Sequence, residues 1–486
     1  MENPYSRLLS PTVPVARENT TKYHFITERH IQVMWFEQKY FRDLQSTENE
    51  EIQVLSPGIW NNGPGPDFLK AHIIINGKAY RGDVEIHLSE ESWKSHGHHE
   101  NMEYDNVILH IVLWRPKNPV PICVKSGRVV TSAYLEPILT IPLSRISSLI
   151  DLDLYPYEQF AGSGKCAETL YRKLSKDQIE DLFQKAAFWR LANKKQYLKQ
   201  HFDTDPECFL GGIALALGYK NNSQAFLQLF LKLNKYPTAD SETLLVQAMG
   251  WCGFFREMYQ SKWRHSSRYK KLHASYEEMG RPEEGIIHLK LSQIRPLNHP
   301  IRRLVYLIYL LGDPSKENLY ANLANAWHRE QKLLCSRGKL REKLYEVIPV
   351  YKDSYWNSHY LFEQEERKEF LSLAGDNFRE EVLVNAFLPL LYGQLEARGD
   401  LQELLQFQEF FGSIPALTTS KTRYLHHRFF GNSSENFLEK AQAEQGAYQI
   451  HKDFCLHYEA SCEGCPFVER YQKTFRLNLT LSHSSN

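Results

Sequence analysis

The sequence predicts an α+β protein in which a sheet domain precedes a longer helical region. Between residues 51 and 135, short segments rich in Val, Ile and aromatic residues are separated by Gly, Asn and Pro, as in strands. From about Ile150, apolar residues instead recur at helical spacing. A final segment carries three cysteines. We therefore predict an arm at 1–23, a sheet domain at 24–150, a helical domain at 151–445 and a tail at 446–486.

Length and composition narrow the classes of protein to consider. A chain of 486 residues predicts two to four domains. Its 58 basic and 58 acidic side chains balance, which argues against a non-specific nucleic-acid coat but leaves room for a local basic groove. There is no signal-peptide pattern and no apolar run near the ~18 residues of a membrane span, so we expect a cytoplasmic protein with no membrane partner.

Local signals define the first elements. Thr27 is a good N-cap for a predicted helix at 27–41, and Ser175 for a predicted helix at 175–202. The stretch Asn76-Gly77-Lys78 is a good hairpin turn between two strands. We expect a mainly antiparallel sheet after the first helix.

Acidic residues and a histidine alternate on the strand that follows this turn. Asp83, Glu85 and His87 share one face, because strand side chains alternate with a period of two. A three-residue loop at 76–78 would place Asp67 opposite His87 and on the face of Glu85. Converging carboxylates hold Mg²⁺ or Mn²⁺ in many proteins. The alternative is a solvated sheet face of alternating charge.

The pattern Pro66-Asp67, a hairpin and then Glu85-Ile86-His87, after a helix with an acidic residue, resembles the PD-(D/E)xK nuclease superfamily. That fold has a helix, three antiparallel strands, a helix and a further strand. The resemblance implies that Asp67 and Glu85 are metal ligands. Glu28, or alternatively Glu37, matches the acidic residue of the first helix. His87 stands where the superfamily usually has a catalytic Lys.

A second resemblance covers nearly the whole chain. The stretches "GIWNNGPGPDF", "GDVEIHL", "HGHH", "RPLNHPIRRL" and the terminal cysteines are similar to those of the bacterial domain-of-unknown-function family DUF2851. This resemblance implies a shared architecture and brings no established activity.

Histidines cluster just after the acidic strand. His96 and His98 fall in a predicted loop, and His110 falls on a strand. We predict that all three lie near the site, where with His87 and Asp67 they would suit Zn²⁺ or a pair of metal ions. The alternative for His110 is a neutral, hydrogen-bonded core histidine.

The tail carries Cys455, Cys462 and Cys465, a spacing that favours a metal site in a cytoplasmic protein. His451 or His457 would complete a zinc site of three cysteines and one histidine. The spacing is also similar to the iron–sulfur loop of helix-hairpin-helix glycosylases, although Tyr471 occupies the fourth position. Some RecB-like nucleases use a distant cysteine, for which Cys166 or Cys335 would serve. Three free thiols are the alternative.

Basic and aromatic residues are interleaved further along the helical region. Such surfaces bind phosphodiester backbones and unpaired bases, although a solvated helix face has the same composition. The candidates for nucleic-acid contact are Lys262, Trp263, Arg264, Arg268, Lys270 and Arg295.

The sequence thus favours a divalent-metal-dependent nuclease that acts on DNA or RNA. Two alternatives remain open at this point. One is a nucleic-acid-binding or interaction protein that keeps the fold without catalysis. The other is a zinc-dependent hydrolase that uses the histidines.

Overall fold

The computed structural model describes residues 3–9, 26–61, 65–150, 152, 163–235, 240–281, 286–291, 294, 296–332, 336–362, 366–457, 462 and 465–475. The chain forms two compact units. The first comprises Met1–Ala187 and Thr418–Asn486, and the second comprises Phe188–Leu417. The C-terminal segment therefore belongs with the sheet, whereas the sequence predicts a separate tail.

A mixed sheet forms the centre of the first unit. Its strands are β1 (Ile52–Ser56), β2 (Ile59–Trp60), β3 (Phe68–Ile75), β4 (Lys78–His87), β5 (Val107–Val112), β6 (Ile122–Cys123) and β7 (Val129–Tyr134). The order is β1-β3-β4-β5-β7-β6, and β2 pairs with β3. The pairs β1–β3, β3–β4 and β6–β7 are antiparallel, while β4–β5 and β5–β7 are parallel.

Helices account for most of the remaining described residues, as the sequence predicts. They are α1 (Ser6–Leu9), α2 (Glu28–Glu37), α3 (Ser92–Ser95), α4 (Leu143–Leu149), α5 (Lys165–Thr169), α6 (Lys176–Lys199), α7 (Asp205–Leu217), α8 (Tyr219–Leu233), α9 (Ser241–Trp251), α10 (Glu257–Lys262), α11 (Ser267–Glu278), α12 (Pro300–Gly312), α13 (Leu319–Lys332), α14 (Arg337–Val347), α15 (Asp376–Val382), α16 (Leu388–Arg398), α17 (Leu401–Ser413), α18 (Ser420–Phe430), α19 (Ala441–Asp453) and α20 (Phe467–Phe475).

Two of the predicted helix boundaries differ from the structure. Thr27 precedes α2, as predicted, and its backbone N–H donates to Nδ1 of His30 at 3.1 Å. The helix ends at Glu37 and not at 41, because Gln38 adopts a left-handed conformation. At the other end of the chain, α19 continues to Asp453, beyond the predicted end of the helical region.

The sheet of the first unit is covered on both faces. On one face, Met34 and Trp35 of α2 share a hydrophobic core with Val84 and Ile86 of β4. On the other face, Trp93 belongs to a smaller cluster of buried residues. The second face also receives the side chains of Glu85 and His87, because these alternate with Val84 and Ile86. The crossover from β4 to β5 therefore lies over the candidate site.

The second unit is helical, and buried side chains hold its connections. The guanidinium of Arg302 on α12 is 0% exposed and donates to the carbonyls of Trp356, His359, Leu371 and Ser372. These bonds satisfy a buried cation with backbone dipoles, so the Arg fixes a loop on its helix. Among the described residues, no helix combines the length and the apolarity needed to cross a bilayer.

Candidate metal centre

The hairpin between β3 and β4 has a two-residue turn. Ile75 pairs with Lys78, and Asn76 and Gly77 have φ values of 47° and 76°. Two left-handed residues in succession are typical of the type I′ turn that Asn-Gly favours. The predicted three-residue loop is therefore wrong. If the ladder continued unbroken from the Ala71–Gly82 pair, Asp67 would lie opposite Ile86 and point into the core.

A β-bulge in β3 brings Asp67 back to the candidate face. The next pair after Ala71–Gly82 is Phe68–Val84, so β3 carries one extra residue there. Lys70 lies within the bulge with a φ of 57°. One extra residue exchanges the two faces of a strand. The register now puts Asp67 opposite Glu85, where the sequence predicts His87.

Asp83 holds this bulge. Its Oδ1 accepts the backbone N–H of Lys70 at 2.9 Å, and its Oδ2 accepts Nδ2 of Asn106 at 3.0 Å. The first bond satisfies an N–H at the point where the ladder is interrupted. Asp83 therefore supports the bulge that orients Asp67, and the direct site role that the sequence predicts for it stays a prediction.

Asp67 and Glu85 contact each other directly. The backbone N–H of Asp67 donates to Glu85 Oε2 at 3.0 Å, and the backbone N–H of Ile86 donates to Asp67 Oδ2 at 3.0 Å. Nε2 of Gln32 donates to Asp67 Oδ1 at 2.6 Å. Burial and the neighbouring negative charge raise the pKa values of Asp67 and Glu85 well above their ordinary range.

Glu28 is the third carboxyl group of this cluster. Desolvation and the charge of Asp67 raise its pKa to about 8, although a hydrogen bond from the backbone of Leu88 opposes the shift. The alternative residue Glu37 lies at the last position of α2 and pairs with Lys39 at 3.1 Å. Three carboxyls with raised pKa values form a group that a bound cation would stabilise.

The histidines lie on the other side of Glu85. Nε2 of His98 is 3.1 Å from Glu85 Oε1 and 3.3 Å from Nε2 of His87, and the His87 nitrogen is 3.5 Å from the same carboxylate oxygen. The ligand atoms of His87, His96 and His98 all lie within 4.8 Å of one another. The three predicted histidines His87, His96 and His98 are therefore together, with Glu85 beside them.

His110 fixes the orientation of His87. Its Nε2 is 2.8 Å from Nδ1 of His87, so the other nitrogen of His87 faces Glu85. Burial and the neighbouring histidines lower the pKa of His87, and the same causes lower the pKa of His110 to about 3. Both rings are therefore neutral at pH 7. A hydrogen bond at one ring nitrogen determines which nitrogen of a histidine is left to bind a metal.

Aromatic rings hold the loop histidine in place. The ring of His98 stacks on Tyr104 at 3.9 Å between centroids, and Trp93 packs edge-on against His98 at 5.4 Å. His96, by contrast, is exposed at the surface. A buried histidine and an exposed one thus lie beside the same carboxylate.

Sequence reasoning missed two residues of α2. Gln32 donates to Asp67, and Arg29 donates from Nη1 to Gln32 Oε1 at 3.2 Å. The positive charge of Arg29 opposes the rise in the pKa of Asp67. A signal existed, because Gln32 follows Glu28 by four residues and therefore shares its helix face.

The predicted nucleic-acid residues lie in the second unit. Trp263 is 1% exposed and packs against Phe362 at 5.0 Å, and both guanidinium nitrogens of Arg268 bond to Glu242. Lys262, Arg264 and Lys270 are exposed. Arg295 lies outside the described residues. A buried indole offers no face to a base, so any nucleic-acid contact here rests on the three exposed cations.

The cysteines of the tail occupy short, separate segments. Cys455 begins a 3₁₀ turn after α19, and the backbone N–H of Cys465 donates to the Cys462 carbonyl at 3.3 Å. His451 is buried on α19 and packs edge-on against Tyr424 at 5.8 Å. Cys335 lies outside the described residues.

Comparisons with known proteins identify a family for this chain. No curated protein and no solved structure matches the chain significantly. One family model matches residues 28–418, from the first residue of α2 to the end of the second unit. That range includes every carboxyl and histidine of the candidate centre and excludes the terminal cysteines. As the sequence motifs predict, the chain belongs to the family described as "Protein of unknown function (DUF2851)".

Proposed function

We propose that the first unit is a metal-dependent hydrolase of phosphodiester bonds. One observation carries the proposal: Glu85 Oε1, His87 Nε2 and His98 Nε2 are separated by 3.1, 3.3 and 3.5 Å. A tetrahedral ion with ligand distances of about 2.0–2.1 Å has edges of roughly 3.3 Å. The donor atoms therefore already match the spacing that one dication requires, and His96 is the candidate fourth ligand.

The donor set favours a transition dication over Mg²⁺. Magnesium takes oxygen ligands, whereas imidazole with one carboxylate suits Zn²⁺ and also Mn²⁺ or Fe²⁺. Of the predicted ions, Mn²⁺ therefore fits better than Mg²⁺, and Zn²⁺ fits the histidine alternative. A bound dication would polarise the scissile phosphate and lower the pKa of a water.

The protein would orient the metal ligands and supply a proton to the leaving group. The backbone of Asp67 engages one oxygen of Glu85, which leaves the other to face the histidines. His110 keeps His87 in one tautomer. Glu28, with a pKa of about 8, carries a proton at neutral pH and is the candidate donor to the leaving oxygen.

The order of elements supports a phosphodiester substrate. The helix α2, the antiparallel run β1-β3-β4, a crossover with short helical turns and the parallel strand β5 correspond to the order in the PD-(D/E)xK superfamily. Asp67 and Glu85 occupy its two acidic positions. Histidine ligands in place of the usual lysine would make this a variant of that site.

A basic groove adjoins the bulge and supports the same substrate class. It has a volume of about 350 Å³ and is lined by Lys70, His72, Arg81, Gly82 and Asn106. Asn106 also bonds to Asp83, which connects the groove to the residues that position Asp67. Two cations beside a metal centre suit the phosphates that flank a scissile bond.

The test is cleavage with a defined metal. The metal-free protein is loaded with Zn²⁺, Mn²⁺ or Mg²⁺ and offered single-stranded, double-stranded and structured DNA and RNA. Cleavage should appear with Zn²⁺ or Mn²⁺ and fall at least about 100-fold in Glu85→Gln, which keeps the size but not the charge. Glu100→Gln is the matched control, because its side chain is 80% exposed. No cleavage with any metal would refute the proposal.

A second candidate function is nucleic-acid binding without cleavage. One observation favours it: His87 is buried with a lowered pKa, so it cannot supply the permanent cation of the usual lysine. Under this alternative, Glu85→Gln would bind nucleic acid as tightly as the wild type, and neither protein would cut it. Retained binding with no wild-type turnover would therefore select the second candidate.

A further inference from the structure

Cys166 lies in the first unit with the cysteines of the tail. It is on α5, is buried, and follows Gly164 by two residues. The tail cysteines flank other elements of the same unit: Cys455 follows α19, and Cys462 and Cys465 precede α20. The three segments are far apart in sequence, so their proximity depends on packing.

Arg428 joins two of these segments. Its backbone carbonyl accepts the N–H of Gly164 at 2.7 Å, and its Nη2 donates to Sγ of Cys462 at 2.7 Å. Arg428 is only 2% exposed. Arg428 therefore holds the Cys462 sulfur beside the segment that carries Cys166.

Aromatic contacts join the remaining segments. Phe454, the neighbour of Cys455, packs against Phe467 at 4.9 Å, and Phe467 packs against Tyr171 of the α5 segment at 6.2 Å. Phe467 follows Cys465 by two residues. The electrostatics agree with this packing. Burial, together with the charges of Cys462 and Cys465, raises the pKa of Cys166 to about 12. The charge of Cys455 contributes to the raised pKa of Tyr171.

We propose that Cys166, Cys455, Cys462 and Cys465 bind one metal centre through four thiolates. The fourth ligand, for which the sequence offers His451, His457 or a distant cysteine, is then Cys166. Four thiolates suit a structural Zn²⁺ ion or an iron–sulfur cluster. The centre would attach the C-terminal helix to α5 and requires none of the residues on the sheet, so the inference does not depend on the proposed hydrolase.

Metal content tests the site directly. The full chain, purified without chelators and without oxygen, should contain either about one zinc that an organomercurial releases or about four irons with absorbance near 400 nm. Cys166→Ser and Cys462→Ser should each lose at least nine-tenths of that metal. Cys208→Ser is the matched control, because Cys208 is a fully buried thiol of the second unit, and it should keep the full amount. Full metal content in Cys166→Ser would overturn the proposal.

X-ray absorption of a His98→Ala variant, which keeps all four cysteines and lacks one ligand of the sheet-face ion, keeps the test valid if the serine variants fail to fold. In this variant, every directly bound neighbour of the thiolate-bound metal should be sulfur. A shell of three sulfurs and one nitrogen would assign the fourth ligand to a histidine and overturn the inference. Protein with neither zinc nor iron at these thiols would do the same, and neither result would bear on cleavage by the sheet face.

Discussion

Two candidate metal sites lie in the first unit, and their residues come together in different ways. The sheet-face centre takes Glu85, His87, His96 and His98 from one strand and the loop after it. The four-cysteine cluster combines α5 with segments almost at the other end of the chain. Strand alternation makes the first cluster visible in the sequence, whereas only tertiary packing connects Cys166 to the second.

Burial drives the groups of both clusters towards their neutral forms. On the sheet face, the pKa values of the carboxyls are raised and those of His87 and His110 are lowered. In the cysteine cluster, burial and the neighbouring thiols raise the pKa values of Cys166 and Cys465, and the buried cation of Arg428 opposes both shifts. We infer that a bound cation would offset charge in both clusters, and that Arg428 supplies part of this effect among the cysteines.

Of the changes considered, His87→Lys should produce the largest difference in metal binding between the two clusters. An ammonium group has no lone pair for a metal, so we expect affinity for Zn²⁺ or Mn²⁺ at the sheet face to fall at least about 100-fold and cleavage to disappear. The metal of the cysteine cluster should be unchanged. Isothermal titration with Mn²⁺ measures the affinity.

His99→Lys is the matched control for this change, because His99 lies in the loop after β4, next to His98, with its side chain 37% exposed. Circular dichroism checks that both variants fold. Retained or increased cleavage in His87→Lys would show that the histidine replaces a catalytic lysine and is no metal ligand.

The stability of the metal-free protein should depend on pH. The folded-state pKa of Glu28 is about 8, against an ordinary value of 4.5, so its contribution to stability is complete below about pH 4.5 and is lost as the pH rises through 8. Between pH 5 and 8.5, we expect the unfolding temperature in EDTA to fall by on the order of 5 °C.

Addition of Zn²⁺ or Mn²⁺ should remove this alkaline decline, because a cation stabilises the ionised carboxyls. Glu28→Gln should flatten the curve without metal. An unfolding temperature that rises with pH in EDTA would contradict the assignment of these groups as neutral in the folded protein.

Asp83→Asn tests whether the bulge positions the centre. The amide nitrogen of Asn cannot accept the bond from Asn106, so the bulge loses one of its two supports. We expect a loss of about 1 kcal/mol in stability and about tenfold weaker metal binding. Asp105→Asn, which removes charge outside the bulge, should leave metal affinity within twofold. Equal metal affinity in Asp83→Asn and the wild type would show that the bulge does not need this carboxylate.

Arg81→Gln should have the smallest effect. If the groove binds phosphate, the variant should raise KM about threefold, leave kcat unchanged and reduce the salt dependence of binding by about one ion. Arg172→Gln provides a control, because Arg172 is exposed and pairs with Glu168 on α5. An unchanged salt dependence in Arg81→Gln would remove the groove from the substrate path.

Much of the sheet face follows from the sequence, and its failures have physical causes. Alternation along β4 required only a local rule, whereas Glu28 was chosen from the resemblance to the nuclease superfamily. The turn length was predicted wrongly, and the bulge that compensates for it leaves no glycine signal, because Lys70 adopts a positive φ. Asp67 was therefore predicted on the right face for the wrong reason. The position of Cys166 depends on contacts between segments hundreds of residues apart, which no local pattern contains.

The most direct test of the central claim is an anomalous-difference map from crystals of the full chain grown with Zn²⁺ or Mn²⁺. The account predicts a peak about 2.0–2.2 Å from Nε2 of His87, Nε2 of His98 and Oε1 of Glu85. A well-ordered site with these side chains in hydrogen-bonding contact, and with metal at the cysteines alone or nowhere, would contradict it.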